Sequence, residues 1–197
     1  MDRQREEAVI GPYQPVPVAC LPWDPRAPEA ANRVIILIGE RLPMVAVDHV
    51  GSTAVPGCAG KGVLDLLLRY PPSYLSTARD ALDDLGFQHQ GGRSPWPEER
   101  PMRVGSIRHD GTVFQLHVHV VAEGDPDAEE LLRFRDALRA DPALVAGYVA
   151  AKQAVLAAAA AKGDVYVSGD AMEYVRAKEP FIQQALGAAG NPDKQTR

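Results

Sequence analysis

The chain has 197 residues, carries a formal charge of −5, and is 46% hydrophobic. That is the size of one ordinary domain with material for a sizeable core, and the mild acidity gives no general reason for a nucleic-acid groove or an anionic membrane as partner. Two cysteines, Cys20 and Cys58, have no metal-ligand spacing and no disulfide pattern, so a reducing cytoplasm is the expected setting.

The first stretch, 1–28, is polar and then proline-rich, with Pro12, Pro15, Pro17, Pro22, Pro25 and Pro28. Prolines this dense prevent a regular helix and favour an extended wrap, which Trp23 is placed to pin to the body. The charged start, MDRQREEAVI, has no apolar signal-peptide core. Residues 29–42 carry Ala31, Val34, Ile35, Ile38 and Leu42 at helical spacing.

The centre, Met44 to Leu68, reads as strand, loop, strand. Val45 and Val47 alternate with smaller or polar neighbours. A Gly51-Ser52-Thr53 turn leads into a loop with Pro56, Gly57, Gly60 and Gly62 and one cation, Lys61. The aliphatic run 63–68 then holds a single carboxylate, Asp65. A carboxylate in such a run is costly to bury unless a cation, metal or hydrogen-bond donor meets it, which makes Asp65 the first pointer to a site.

Pro71-Pro72 ends that strand, and a helix follows through about Leu85, with Ser73 as its expected cap and Gly86 as its end. Residues 88–101, rich in Gly, Pro and charge, read as a functional loop. Met102 to Arg108 and Val113 to Val121 form strands joined by an Asp110-Gly111 turn. On the second strand Phe114, Leu116, Val118 and Val120 face one way and Gln115, His117 and His119 the other. An antiparallel edge would bring the histidines beside Asp65.

Asp125-Pro126 and Asp141-Pro142 read as capped helix starts. A last helix after Gly163 is expected to bend or restart at Pro180, and 191–197 to be a disordered tail. Ala157 to Ala161 reads as soluble helix, and no uninterrupted apolar run reaches the roughly 20 residues that span a bilayer. One domain is expected over 29–188; oligomeric state is left open.

A Gly-Ser turn after a strand can hold phosphate on backbone N–H groups. Asp65 on the next strand can coordinate Mg²⁺ beside it. Paired histidines can bind metal, contact phosphate or move protons. Arg135, Lys152 and Lys178 could complete an anion pocket. An ordinary turn, a satisfied carboxylate, a half-exposed sheet face and solvated helix charges are the plain alternatives.

The string DHVGSTAVPGCAGKGVLDLLL at 48–68 strongly resembles the signature of the GrpB family, also called UPF0157; Asp48, Cys58 and Gly62 are mild departures. LHV at 116–118, LRFRDALRADPALVAGYVAAKQAVL at 132–156 and YVRAKEPFI at 174–182 continue it. The resemblance implies a nucleotidyltransferase-like α/β fold, a mixed sheet flanked by helices, and in some bacteria a similar domain is fused to dephospho-coenzyme A kinase. That superfamily places two acids one residue apart after the Gly-Ser turn. Asp65 fits the first, the second position is Leu67, and the third falls on the strand of Gln115, His117 and His119. Carboxylates must hold both ions in a two-metal transfer, and Leu67 cannot.

Three readings follow. The first is a nucleotidyl- or phosphoryl-transferase-like protein binding a nucleotide or phosphate ligand through His49, Gly51, Ser52, Thr53, Lys61, Arg135, Lys152 and Lys178, with Asp65, His117 and His119 as chemical groups and a divalent ion, Mg²⁺ or Mn²⁺, on Asp65 and His117. The second is a non-catalytic nucleotide-sensing or partner-binding module with eroded acids. The third is a metal enzyme of another class, on Zn²⁺ or Mn²⁺, using Asp65 and both histidines.

Overall fold

The computed structural model describes residues 10–92, 95–165 and 172–189. The expected disordered tail, 191–197, and the first nine residues of the wrap lie outside them.

Five strands form one mixed sheet: β1 (Ala46–Val50), β2 (Leu64–Tyr70), β3 (Gln88–His89), β4 (Met102–His109) and β5 (Thr112–Ala122), in the order β1-β2-β5-β4-β3. Only β2 and β5 run parallel. The pairing that joins Asp65 to the histidines is therefore this parallel one at the centre of the sheet, not an antiparallel edge. Its register sets Asp65 opposite His117 and Leu67 opposite His119. Between β4 and β5, Asp110 and Gly111 both have positive φ, 44° and 75°, as the hairpin turn demands.

Alternation along the strands divides the faces. Leu64, Leu66, Leu68, Leu116, Val118 and Val120 are buried beneath α1 (Ala27–Arg41) and α2 (Leu75–Asp84), where Val34, Ile38, Ala78 and Leu82 meet them. Each fully buried aliphatic side chain there contributes about 1.5–3 kcal/mol. Helix α2 is not capped by Ser73. Tyr74 is its N-cap and makes no side-chain cap bond, while Ser73 takes φ 67° in the preceding turn. Gly86 closes it as expected, with Gly86 N–H on Asp83 O and Phe87 N–H on Leu82 O.

The other face meets the helical C-terminal half, α3 (Pro126–Ala140), α4 (Pro142–Ala161) and α5 (Met172–Ala189). The Asp125 carboxylate accepts from Asp127 and Ala128 N–H, and that of Asp141 from Ala143 N–H. Helix α5 runs through Pro180 without restarting, held against α4 by Phe181, whose ring stacks on Tyr148 at 5.5 Å. Helix α4 is long and apolar enough, by length and composition, to cross a membrane, although Lys152 and Gln153 interrupt its apolar run. Half of its residues are alanine, and the helix lies against α3 and α5 through Val145, Tyr148 and Val149.

The wrap is extended over its described part. Gly11 pairs with Ser106 beyond the short β3, and Leu21 with Gly60. Trp23 donates its indole N–H to Thr53 O at 3.0 Å, pinning the wrap to the Gly-Ser turn. Residues 88–89, expected as loop, form β3 because β4 offers them a free edge.

Candidate functional site

Between the sheet face of Asp65, His117 and His119 and the helices α3 and α5 lies a cleft of about 460 Å³. Gln90, Trp96 and Arg100 close one side. Of the residues picked from sequence, Gly51, Lys61, Asp65, His117, His119, Arg135 and Lys178 line it.

Lys61 reaches back from the loop to the strand four residues on. Its Nζ lies 3.4 Å from Asp65 Oδ1 and 3.3 Å from His117 Nδ1, and that nitrogen lies 3.2 Å from the same carboxylate oxygen. Burial alone would push the Asp65 carboxyl up. The Lys61 charge and the His117 hydrogen bond outweigh it and hold the carboxyl well below its usual range. The second oxygen, Oδ2, packs on Gly51, whose φ of 72° and missing side chain make the approach possible.

Both strand histidines are uncharged at neutral pH. His119 is pulled down to about 4, chiefly by burial, against the opposing pull of Asp65. Burial and Lys61 also lower His117. The two rings stand edge to face at 6.5 Å, and Trp96 stands edge to face with His119 at 6.2 Å. Lys178 is lowered to about 7, first by burial and then by Lys61. Arg135 lines the cleft but also donates to Asp48 Oδ1 and His49 O, tying α3 to β1.

Four residues picked from sequence do not line the cleft. His49 faces the opposite way from Asp48 and Val50 on β1, opposite Leu66, and its Nε2 lies 3.0 Å from Thr53 Oγ1. Thr53 in turn donates to Val63 O at 3.1 Å, so the two brace the turn from behind. Ser52 Oγ packs against Gly60. Lys152 is buried, donates to Ala59 O and Cys58 Sγ, and sits 4.4 Å over the Tyr148 ring. Its ammonium fixes the 51–62 loop, and burial lowers its pKa.

A resident divalent ion does not fit these donors. Among the described residues no group of three or more His, Cys, Asp or Glu side chains converges. Asp65 and His117, the expected ligands, are in direct contact and share the Lys61 ammonium, and Leu67, in the second acid position, is fully buried with Val50, Val121 and Ala128.

Sequence reasoning missed Tyr13, Trp96 and Arg100. Tyr13 Oη lies 3.0 Å from His117 Nε2, and the Arg100 guanidinium lies 5.7 Å from the Trp96 ring centre. The signal for the latter pair was available, an aromatic and a cation within a long Gly/Pro loop. Tyr13, inside a proline-rich stretch 104 residues from His117, gave none.

A strand, a Gly-Ser turn and an acid-bearing neighbouring strand in a mixed sheet flanked by helices make an α/β fold of the kind the resemblance implies. More narrowly, the chain belongs to the GrpB protein family, whose pattern it matches over residues 17–188. It is 32% identical to a UPF0157 protein of Pseudomonas aeruginosa, over 87% of this chain and 67% of that one. It is 31% identical to a dephospho-CoA kinase of Mycolicibacterium paratuberculosis, covering 88% of this chain but 46% of that protein. The crystal structure of conserved protein GrpB from Enterococcus faecalis shares the fold, with a TM-score of 0.61 at 21% identity over 87% of this chain and 98% of that one.

Proposed function

We propose that the cleft binds a phosphate-bearing small molecule of the nucleotide class, and that the protein is a cytoplasmic, transferase-like member of its family. One observation carries this reading. Lys61, held on Asp65 and His117 at the cleft floor, puts an ammonium beside the one acid of the superfamily pattern that this chain keeps. Arg135 and Lys178 face the same space. An ammonium is a compact donor that offsets phosphate charge without a resident metal ion. Were a group transferred, Lys61 would stabilise the developing charge, and the neutral His119 would accept a proton.

Leu67 favours a second reading, a module that binds the ligand without turning it over. A leucine there supplies no carboxylate, and its full burial leaves no room for one.

Thermal shift against nucleotides, inorganic phosphate and coenzyme A precursors tests the binding. The expected result is a raised melting temperature with at least one phosphate compound, abolished in Lys61→Met. No response across the panel, or a response unchanged in that variant, overturns the proposal. Turnover of a labelled nucleotide separates the two readings.

A further inference from the structure

Val18 of the wrap lines the cleft, and Tyr13 reaches the histidine behind it. Tyr13 Oη lies 3.0 Å from His117 Nε2, with the rings 5.4 Å apart and tilted by 45°. The backbone around the phenol is firmly seated. Tyr13 N–H donates to Gln88 Oε1 and Gln14 N–H to Gln115 Oε1, both at 2.8 Å. Ser106 Oγ donates to Pro12 O at 2.9 Å, beside the Gly11–Ser106 bridge.

The other ring nitrogen has two neighbours of opposite kind. Asp65 Oδ1, 3.2 Å from His117 Nδ1, can only accept; Lys61 Nζ, at 3.3 Å, can only donate. A neutral imidazole carries one N–H and satisfies one of them at a time. With the proton on Nδ1, it serves Asp65, and Nε2 must accept. With the proton on Nε2, Nδ1 accepts from Lys61, and Nε2 must donate. His117 is only 3% exposed, so water cannot make good the difference. A hydroxyl both donates and accepts, and Tyr13 can therefore complete either state.

We propose that Tyr13 is a positioning residue of the cleft: its hydroxyl allows His117 to change tautomer when an anionic ligand draws Lys61 away, so that Asp65 keeps a donor. The inference rests on the anion-binding reading above. Without the exchange, a ligand that recruits Lys61 leaves Asp65 short of a partner in a buried place, where an unmet polar group is costly.

The experiment uses the full chain, with inorganic phosphate as probe. Ring ¹⁵N shifts of His117 are recorded with and without phosphate, and phosphate is titrated into wild type and Tyr13→Phe. Phosphate is expected to raise the Nδ1–H fraction of His117. Tyr13→Phe removes the only acceptor that the described residues offer to Nε2–H, so its His117 should hold the proton on Nδ1 with and without phosphate, and the phosphate-dependent ring shift should be lost. An unchanged tautomer in the wild type, or a Tyr13→Phe ring shift equal to wild type, overturns the role of Tyr13 and leaves the cleft reading standing. Wild type that binds no phosphate overturns both. Should Tyr13→Phe fail to fold, the wild-type ring shifts decide alone.

Discussion

Gly51 and Asp65 are packed so closely that one methyl group would part them. A Cβ on Gly51 would stand 2.6 Å from Asp65 Oδ2, and the glycine's φ of 72° with ψ of −174° is a conformation that side chains rarely adopt. The turn and the acid are thus one unit. Gly51→Ala should cost about 1–3 kcal/mol in backbone strain, and it should turn the carboxylate away from Lys61. Urea unfolding measures the first effect and ligand-induced thermal shift the second. A variant as stable as wild type, with an intact ligand response, would show that the carboxylate has room to give.

Lys61 keeps Asp65 charged. Replacing it with methionine leaves a mostly buried carboxylate with His117 as its remaining partner at this end. Lys61→Met should therefore destabilise by about 1–3 kcal/mol and raise the Asp65 pKa. Adding Asp65→Asn should recover part of the loss, because the amide carries no charge to strand. A double-mutant cycle on urea midpoints gives the coupling. Simple addition of the two losses would mean that the pair contributes no coupling.

These two relationships show what the sequence could and could not convey. An isolated acid in an aliphatic run is legible, because burying it without a partner is too costly. Alternation along 113–121 correctly put His117 and His119 on one side, since side-chain direction follows from the strand period. The long apolar elements were legible for the same reason. Register was not. Nothing local says that β2 and β5 pair in parallel at the sheet centre, and it is that pairing which sets Asp65 opposite His117. The parity of β1 relative to β2 was equally hidden, so His49 looked like a site residue, although it braces the turn. Lys152, on α4, looked like a rim charge because nothing local shows that it turns inward to brace the loop. Ser73 looked like a cap because its type suits one, but the preceding turn placed it at positive φ.

His49 and His119 make the fold sensitive to acid. Each is lowered from 6.5 to about 4, first of all by burial. A folded-state pKa below the unfolded one means that the unfolded chain binds more protons between the two values, so stability falls as pH drops from about 6.5 towards 4. Asp65 acts in the same direction only below its ordinary 3.8, outside this window. Melting temperature followed from pH 7 to 4 should decline, and His119→Gln, which cannot titrate, should flatten part of the decline. An identical slope in the variant would remove His119 from the account.

Lys178 gives the cleft a pH dependence of the opposite sense at higher pH. Burial and the Lys61 charge lower it from 10.5 to about 7, so its ammonium is lost as pH rises through neutrality, while Arg135 beside the cleft keeps its charge throughout. Sulfate is a suitable probe, because it does not titrate in this range. Its affinity should be highest near pH 6 and fall by pH 8, as the cleft loses one positive charge. Lys178→Arg should hold its sulfate affinity across the same interval, because a guanidinium stays protonated. Lys178→Met should be weak at both ends. Calorimetric titration at the two pH values in the three proteins checks this. A wild-type affinity that does not change with pH would mean either that Lys178 remains charged or that the anion does not meet it, and the low value in Lys178→Met tells these apart. The measurement also bears on the floor of the cleft. Bound sulfate favours the charged form of Lys178 and so takes up protons near pH 7, which appears as a buffer-dependent heat that should vanish with the arginine.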